Sequence, residues 1–368
     1  MPRREDQLTV IVPTRNRASV VVATLKLFAA AGVDRQIIIA DSSDTLDRSL
    51  EQAAARVGAI VRRYPSDVGL YDKMADAATS AGTPFVLAVP DKKLTLPYGI
   101  DDLLSHLQSH GDHVSASGYV LRHAMQRSDV DIYRVHIFVP SIEDPDPLRR
   151  LTEMMRRYQP SAFALFRTEA LVTCAKQAAA VRGLLFQEIM FMNTLVLQGK
   201  VARVPGVFGL HGTERSHSPI TQRDPMYSFL ADGRSFFEHY RSYCDALAKF
   251  MTQRGIRAPD GVPLAQLLDL IHGAWLGHNI DVGRINYAVQ GLLDGNMPAF
   301  VEESDWPGPR PIGPRDRVDR RPMRRHIWRD AVLNAEPREE ITISDRDVAE
   351  VNKALDILFA GPDPVVPF

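Results

Sequence analysis

Residues 8–97 alternate short apolar runs with stretches of helical character, and this alternation restricts the fold more than any other feature of the chain. The runs at 8–12, 37–40 and 85–89 are apolar or β-branched, the run at 59–64 begins so before two arginines, and polar loops follow all four. Runs of this length separated by helices predict βαβ units and a largely parallel sheet. Ligands bind such sheets at the carboxyl ends of the strands, so these polar loops form the candidate site.

The intervening helices are predicted over residues 19–31, 45–57 and 70–80. Ser19 can cap the first helix and Gly32 can end it, while Met74 and Ala77 should face inward in the third. Further along, we expect helices over 100–109, 168–181 and 186–198, and strands over 114–121, 133–139, 161–167 and 201–208. The sequence therefore predicts an α/β protein.

The periodicity becomes helical over residues 227–293, and a final helix is predicted over 345–359. Apolar side chains recur there at spacings of three and four, which is typical of a packing face: Phe229, Phe236, Phe237, Tyr240, Leu247 and Phe250. Residues 306–314 are rich in proline and glycine, and an arginine-rich stretch follows them. That stretch is either a solvated loop or a contact with an anionic acceptor or membrane surface. We expect three parts: an α/β domain at 1–220, a helical subdomain at 221–300, and the Pro/Arg-rich segment with its last helix at 301–368.

Net charge, cysteine spacing and apolar run lengths indicate which partners and which compartment to expect. The 368 residues carry a net charge of −1, which gives no indication of nucleic-acid binding. Cys174 and Cys244 have no metal-ligand or redox spacing, so both are expected to be small core residues in a reducing compartment. No stretch reaches the roughly 18 apolar residues of a transmembrane helix, and no signal-peptide pattern opens the chain. We expect a cytoplasmic protein, with peripheral membrane association and homo-oligomerisation left open.

Three loops at strand ends carry a recognisable order of residues. The first is Pro13-Thr14-Arg15-Asn16-Arg17, the second is Asp41-Ser42-Ser43, and the third carries Gly69 and Lys73 ahead of the 85–89 strand. This order resembles inverting family 2 glycosyltransferases of the GT-A type, and among them a bacterial subgroup. The resemblance covers about residues 7–210 and implies a GT-A fold, a mixed sheet flanked by helices, here with a C-terminal helical extension.

The resemblance also implies a nucleotide-sugar donor, with UDP-sugars favoured, and a carbohydrate or glycoconjugate acceptor. Backbone groups around Pro13 and Thr14 would hold the base and ribose, with Arg15, Asn16, Arg17, Ser43 and Gly69 completing the donor site. Asp41 would accept a hydrogen bond from the imide N–H of a uracil-like base, and Lys73 would approach base or phosphate. The alternative for Asp41 is that it caps the following helix.

The chain departs from the resembled family at Asp91-Lys92-Lys93. The family's Asp-x-Asp motif binds Mn²⁺ or Mg²⁺ through its last carboxylate, and Lys93 stands at that position. A lysine ammonium repels a cation, so either Lys93, with Lys92, replaces the metal beside the diphosphate, or catalysis is lost. A third interpretation is a solvated surface turn. A metal would be used only if Asp91 and His211 suffice to hold it.

An inverting transfer needs a carboxylate that deprotonates the acceptor hydroxyl. Glu188 is the candidate, since apolar neighbours would raise its pKa and the family places an acid near a helix start; Asp91 is the next candidate. Compensation of the helix dipole is the alternative for Glu188. The polar loop from His211 to His217 lies where the family keeps a flap, so His211 and Arg215 would contact phosphate; a solvated loop without that role is equally compatible.

Two alternative functions are compatible with a nucleotide-binding α/β core. Sugar nucleotidyltransferases place a glycine-rich phosphate loop after the first strand, whereas residues 13–17 contain no glycine. The second is a catalytically degenerate transferase that keeps only nucleotide-sugar binding or an assembly role. Lys93 favours that possibility, whereas the presence of Glu188 argues against it.

Overall fold

The architecture comes from a computed structural model of the chain. It describes residues 7–126, 129–137, 140–160, 162–211, 224–280, 282–293, 328–335 and 341–359. Three features of the sequence analysis lie outside the described residues: the expected flap residues 212–217, including Arg215; the domain boundary at 220/221; and the Pro/Arg-rich stretch 306–325.

The described strands join one mixed sheet of nine, in the order β3-β2-β1-β4-β8-β6-β9-β5, with β7 paired to β6. Their bounds are β1 Leu8–Thr14, β2 Gln36–Asp41, β3 Ile60–Arg63, β4 Phe85–Ala88, β5 Lys93–Thr95, β6 His113–Gln126, β7 Asp129–Ile137, β8 Leu165–Arg167 and β9 Lys200–His211. Strands β1 to β4 are mutually parallel, and β8 enters antiparallel to β4.

Helices flank this sheet and extend beyond it. Their bounds are α1 Ala18–Ala30, α2 Arg48–Arg56, α3 Leu70–Thr79, α4 Ile100–Ser109, α5 Pro147–Arg156, α6 Thr168–Ala179, α7 Leu184–Gln198, α8 Pro225–Ala231, α9 Gly233–Gln253, α10 Leu264–Asn279, α11 Val282–Leu293, α12 Trp328–Ala335 and α13 Asp345–Phe359. The predicted α/β class, a mixed sheet flanked by helices with a C-terminal helical extension, is confirmed.

Strand β1 lies inside the sheet, and every one of its residues is buried, as are those of β4. Such continuous burial explains why these strands read as unbroken apolar runs. β1 lies between β2 and β4; the chain passes from β1 to β2 and β3 on one side and then crosses to β4 on the other. The carboxyl end of β1 is therefore a point where strand order reverses, the usual position of a ligand cleft in an open α/β sheet.

The structure differs from the predicted elements in several places. Helix α1 begins at Ala18, its N-cap is Arg17, and no side chain caps it, so the expected cap at Ser19 is wrong. Gly32 does follow the helix in the left-handed conformation, with φ of 63°. Strand β5 and helix α5 were not predicted: β5 is only three residues long, too short for a periodic signal.

The helical extension shares its core with the α/β part. Phe236, Tyr240, Leu247 and Phe250 are buried, as predicted, while Phe237 is 48% exposed. Between α7, α9 and α10, Asn193 donates to Tyr243 Oη at 2.6 Å, and His272 Nε2 lies 2.6 Å from the same oxygen. Cys174 and Cys244 are buried and unpaired, which confirms their predicted role as core residues.

Helix α13 is fixed to the sheet by one carboxylate. Asp347 Oδ1 accepts hydrogen bonds from Tyr98 Oη at 2.6 Å and from the Val207 backbone N–H at 2.8 Å. These contacts hold α13 against β9. Among the described residues, no helix combines the length and the apolar character that crossing a membrane requires.

Candidate functional site

The loop after β1 is held by reciprocal hydrogen bonds to the loop after β2. Asn16 adopts a left-handed conformation with φ of 54°, which asparagine tolerates better than most residues. Its backbone N–H donates to Ser43 Oγ at 2.7 Å, and its side-chain amide donates to Asp44 at 2.8 Å. The Asp44 N–H donates back to Asn16 Oδ1 at 3.1 Å. Two predicted donor-site residues, Asn16 and Ser43, therefore shape the loops by binding each other.

Lys73 connects the same two loops through hydrogen bonds. Helix α3 carries its side chain under the carboxyl ends of β1 and β2, where Nζ donates to the Thr14 carbonyl and to Ser42 Oγ, each at 2.8 Å. The side chain is buried, and burial lowers the pKa of Lys73 to about 8, although Asp91 and Asp41 act in the opposite direction. Lys73 thus supports the loops as well as lining the cleft described below.

Asp41 lies beneath the site and is fully buried. Its Oδ1 accepts from the backbone N–H and the hydroxyl of Ser43, at 2.8 and 2.5 Å, and its Oδ2 is ion-paired with Arg63. The alternative role in helix capping belongs instead to Asp47, which accepts from the backbone N–H groups of Ser49 and Leu50. Contact between Asp41 and a base requires these bonds to open, and that role stays a prediction.

The Asp91-Lys92-Lys93 turn joins β4 to β5 at the same edge. Asp91 Oδ2 accepts from the Arg15 backbone N–H at 3.2 Å, which ties the turn to the loop after β1. Strand β5 pairs antiparallel with β9, and Lys93 lies directly opposite His211. His211 Nδ1 lies 3.2 Å from the Lys92 carbonyl oxygen. The turn is therefore anchored at both ends, and a merely solvated surface turn does not describe it.

The described residues around Asp91 do not fit a divalent cation. Within the described part of the chain, no three His, Cys, Asp or Glu side chains cluster as a metal site would require. Mn²⁺ and Mg²⁺ take hard oxygen ligands, and the position opposite His211 presents an ammonium instead.

Glu188 lies on the opposite wall, on the fifth residue of α7. The first turn of α7 contains no acidic residue, so dipole compensation does not account for Glu188. Burial raises the pKa of Glu188, while a hydrogen bond from Tyr158 and the charges of Lys93 and Lys92 partly oppose that rise. The Tyr158 hydroxyl donates to Glu188 Oε1 at 3.2 Å. The predicted environment of a raised pKa is thus present.

Lys93 and Glu188 influence each other across the cleft. Burial lowers the pKa of Lys93 to about 8; the charges of Lys92 and Arg203 lower it further, whereas Glu188 raises it. Among the described residues, no atom accepts a hydrogen bond from the Lys93 ammonium. Each of the two groups therefore favours the charged form of the other.

One cleft of about 730 Å³ collects most of the predicted residues, and we call it the donor cleft. The predicted residues that line it are Pro13, Thr14, Arg15, Asn16, Arg17, Gly69, Lys73, Asp91, Lys92, Lys93 and Glu188. The lining does not include Asp41, Ser43 or His211. Thr14 Oγ1 is buried in this region and has no hydrogen-bond partner among the described residues.

Comparison with known proteins gives fold-level likeness only. No protein-family model matches the chain, and no curated protein matches it. Among solved structures, residues 1–349 of S. aureus TarS share 15% identity, with 80% of each chain covered and a TM-score of 0.47.

Two synthases are also similar. Glucosyl-3-phosphoglycerate synthase from Mycobacterium tuberculosis, solved with Mn²⁺, UDP-glucose and phosphoglyceric acid, shares 15% identity over 70% of this chain and 82% of its own, with a TM-score of 0.38. Mannosyl-3-phosphoglycerate synthase from Rubrobacter xylanophilus shares 16% identity over 70% of this chain and 78% of its own, also with a TM-score of 0.38. At this level of similarity the assignment of function depends on the site itself.

Sequence reasoning missed Tyr158 and Arg63. Tyr158 follows α5, whose start carries an available signal: Asp146 is the N-cap, its side chain accepts from the Leu148 N–H, and Pro147 occupies the first turn. Reading that signal would have placed a helix before Tyr158, although not its contact with Glu188. Arg63 had no comparable signal, since an arginine at a strand end is ordinarily solvated.

Proposed function

We propose that the protein is a glycosyltransferase that transfers a sugar from a nucleotide-diphosphate donor, with a uridine nucleotide favoured, to a hydroxyl acceptor with inversion. The observation that carries the proposal is the donor cleft. It brings loops from three parallel strand ends, an ammonium without an acceptor in the described part of the chain, and a carboxylate of raised pKa to one cavity large enough for a nucleotide.

The nucleoside would occupy the end of the cleft formed by the loop after β1. Residues 13–17 line this end, and Lys73 holds the loop in place through its bond to the Thr14 carbonyl. A preorganised backbone surface reduces the entropy lost when a nucleotide is ordered. Asp41 would contribute base recognition only through a rearrangement of Ser43 and Arg63.

The diphosphate would lie against Lys93. A lysine ammonium is a compact phosphate-binding charge, and this one has no acceptor among the described residues. It would offset the charge that develops on the leaving diphosphate, the role that a divalent cation has in the resembled family. Lys92, also in the lining, would add a second positive charge at the same end.

Glu188 would act as the general base. Its carboxylate would accept the acceptor's hydroxyl proton while that oxygen bonds to the anomeric carbon and the bond to the diphosphate oxygen breaks. Because the attack comes from the face opposite the leaving group, the anomeric configuration inverts. Burial raises the pKa of Glu188 towards that of a working base, and Tyr158 holds one of its oxygens.

A second candidate is a nucleotide-sugar-binding protein without transferase activity. The observation that favours it is the lysine at position 93, together with the lack of a metal-ligand cluster in the described residues. The two candidates share donor binding and differ in turnover, so the decisive measurement has two parts.

The first part is a thermal-shift screen over nucleoside diphosphates and UDP-sugars, with and without a chelator. A ligand that binds only the folded state raises the melting temperature, and we expect the largest rise with uridine nucleotides, unchanged by the chelator. The second part measures release of UDP from the stabilising UDP-sugar. Slow hydrolysis supports the transferase, binding without hydrolysis supports the second candidate, and no stabilisation by any nucleotide would refute both.

A further inference from the structure

A second cleft lies on the other side of the segment that follows α5. It has a volume of about 590 Å³ and opens between the end of α5 and the end of α10. Its lining residues come from these two regions and from the loop before α5: Pro140, Met155, Arg156, Arg157, Tyr158, Gln159, Ala274, Trp275, His278 and Asn279. We call it the basic cleft, because its charged lining residues are arginines.

The charge of the basic cleft is of one sign. Arg156 and Arg157 are exposed at its mouth, His278 is exposed on the facing helix, and no described lining residue is acidic. Guanidinium groups bind phosphate oxygens through paired, charge-assisted hydrogen bonds. A cavity of this size with two such groups is suited to a phosphate ester that carries a polyol or sugar.

The basic cleft and the donor cleft share one wall. Tyr158 lines the basic cleft, yet its hydroxyl donates to Glu188 in the donor cleft at 3.2 Å. Two residues later Pro160 lines the donor cleft. The Tyr158 ring also contacts Trp275 edge to face, with centroids 6.2 Å apart, which fixes the wall against α10. A molecule in the basic cleft that contacts Tyr158 would therefore be separated from Glu188 by that side chain.

We infer that the basic cleft is the acceptor site and that the acceptor carries a phosphate group held by Arg156 and Arg157. This inference depends on the proposed function, because it assigns the second substrate of the same reaction. In this arrangement the phosphate binds at the mouth of the basic cleft, and a hydroxyl of the same molecule reaches Glu188 past Tyr158. The phosphate comes either from a soluble sugar or polyol phosphate or from a lipid headgroup.

The test compares the Arg156→Gln/Arg157→Gln double variant with a matched control. The control, Arg48→Gln/Arg56→Gln, removes two exposed charges from α2, which contributes no residue to either cleft. Calorimetry measures binding of glucose phosphate and of glucose to all three proteins, and flotation measures association with vesicles of phosphatidylcholine with or without phosphatidic acid. UDP stabilisation is recorded in parallel.

We expect the wild type and the control to bind glucose phosphate more tightly than glucose, and the double variant to lose about tenfold in that affinity with UDP stabilisation unchanged. If the double variant lost only its association with vesicles that contain phosphatidic acid, the result would support the same site with a lipid phosphate as its ligand. Equal affinities in the double variant and the control, or no phosphate-dependent binding by the wild type, would overturn the inference while leaving donor binding intact. If UDP did not raise the melting temperature of the wild type, that result would instead count against the proposed function.

A purely structural role for the arginines gives a different result. Arg156 lies in the last turn of α5 and Arg157 caps it, so both also compensate the helix dipole. Removal of that contribution would lower the melting temperature of the double variant without a selective loss of phosphate affinity. That pattern would also overturn the inference.

Discussion

The two ends of the donor cleft each contain a lysine whose pKa burial lowers to about 8, yet the two lysines have different surroundings. Lys73 donates to the Thr14 carbonyl and to Ser42, which joins two loops of the scaffold. Lys93 finds no acceptor among the described residues and faces Glu188. The same residue type with a similar pKa therefore supports the fold at one end and is available to a ligand at the other.

The comparison teaches that a perturbed pKa does not identify a functional group by itself. Perturbed values cluster at active sites, but structural networks perturb pKa values as well. The hydrogen-bond partners separate the two cases, since an ammonium already bonded to the scaffold has less capacity for phosphate. Four experiments can sharpen or break this distinction.

The largest effect is expected for Glu188→Gln, at the Lys93 end. The change keeps the shape of the side chain and removes the base, so UDP-sugar turnover should fall by about two to four orders of magnitude with donor affinity retained. Steady-state kinetics with the stabilising UDP-sugar measure this. The control is Glu169→Gln, an exposed acid in the first turn of α6; near-normal turnover in Glu188→Gln would assign the base elsewhere, with Asp91 next.

Lys93→Met should reduce the affinity for UDP by about ten- to a hundredfold while changing that for uridine little. The reason is that the lost charge-assisted contact, worth about 1.5 to 3 kcal/mol, is made to phosphate. Titration calorimetry with both ligands gives the ratio. Lys26→Met on α1, outside the donor-cleft lining, is the control. Equal losses for UDP and uridine would contradict a phosphate role for Lys93.

Lys73→Met should act mainly on the scaffold. Two buried hydrogen bonds disappear, so the free energy of unfolding should fall by about 1 to 2 kcal/mol, with UDP and uridine weakened in the same proportion. Urea denaturation measures the stability, and calorimetry measures the two affinities. A selective loss of UDP affinity with full stability would show that the two lysines do not differ as described.

The smallest effect concerns pH. The Lys93 ammonium loses its proton above its folded pKa of about 8, so UDP affinity should decline several-fold as the pH rises through that value. Lys93→Arg keeps the charge at high pH and should flatten the decline. Affinity for uridine serves as the internal control. A decline that persists unchanged in Lys93→Arg would assign the titration to Lys73 instead.

Much of the donor cleft could be predicted from local pattern. The predicted residues 13–17, Gly69 and Asp91-Lys92-Lys93 all line it, because they follow strands whose parallel arrangement brings their carboxyl ends to one edge. Glu188 also lines it, although the argument for it depended on resemblance as much as on its apolar neighbours. The placement of Asp41, Ser43 and His211 away from the lining could not be predicted from these patterns.

The sequence by itself determined the α/β class, the alternation of strands and helices in the first part of the chain, and the polar loops that follow those strands. Hydrophobic periodicity and turn chemistry, from which these features follow, are local properties. Only the tertiary structure decided the pairing of Asp41 with Arg63, 22 residues away, and of Tyr158 with Glu188, 30 residues away. It also set Lys93 opposite His211. These contacts depend on strand register and on how helices pack over the sheet, which periodicity does not specify.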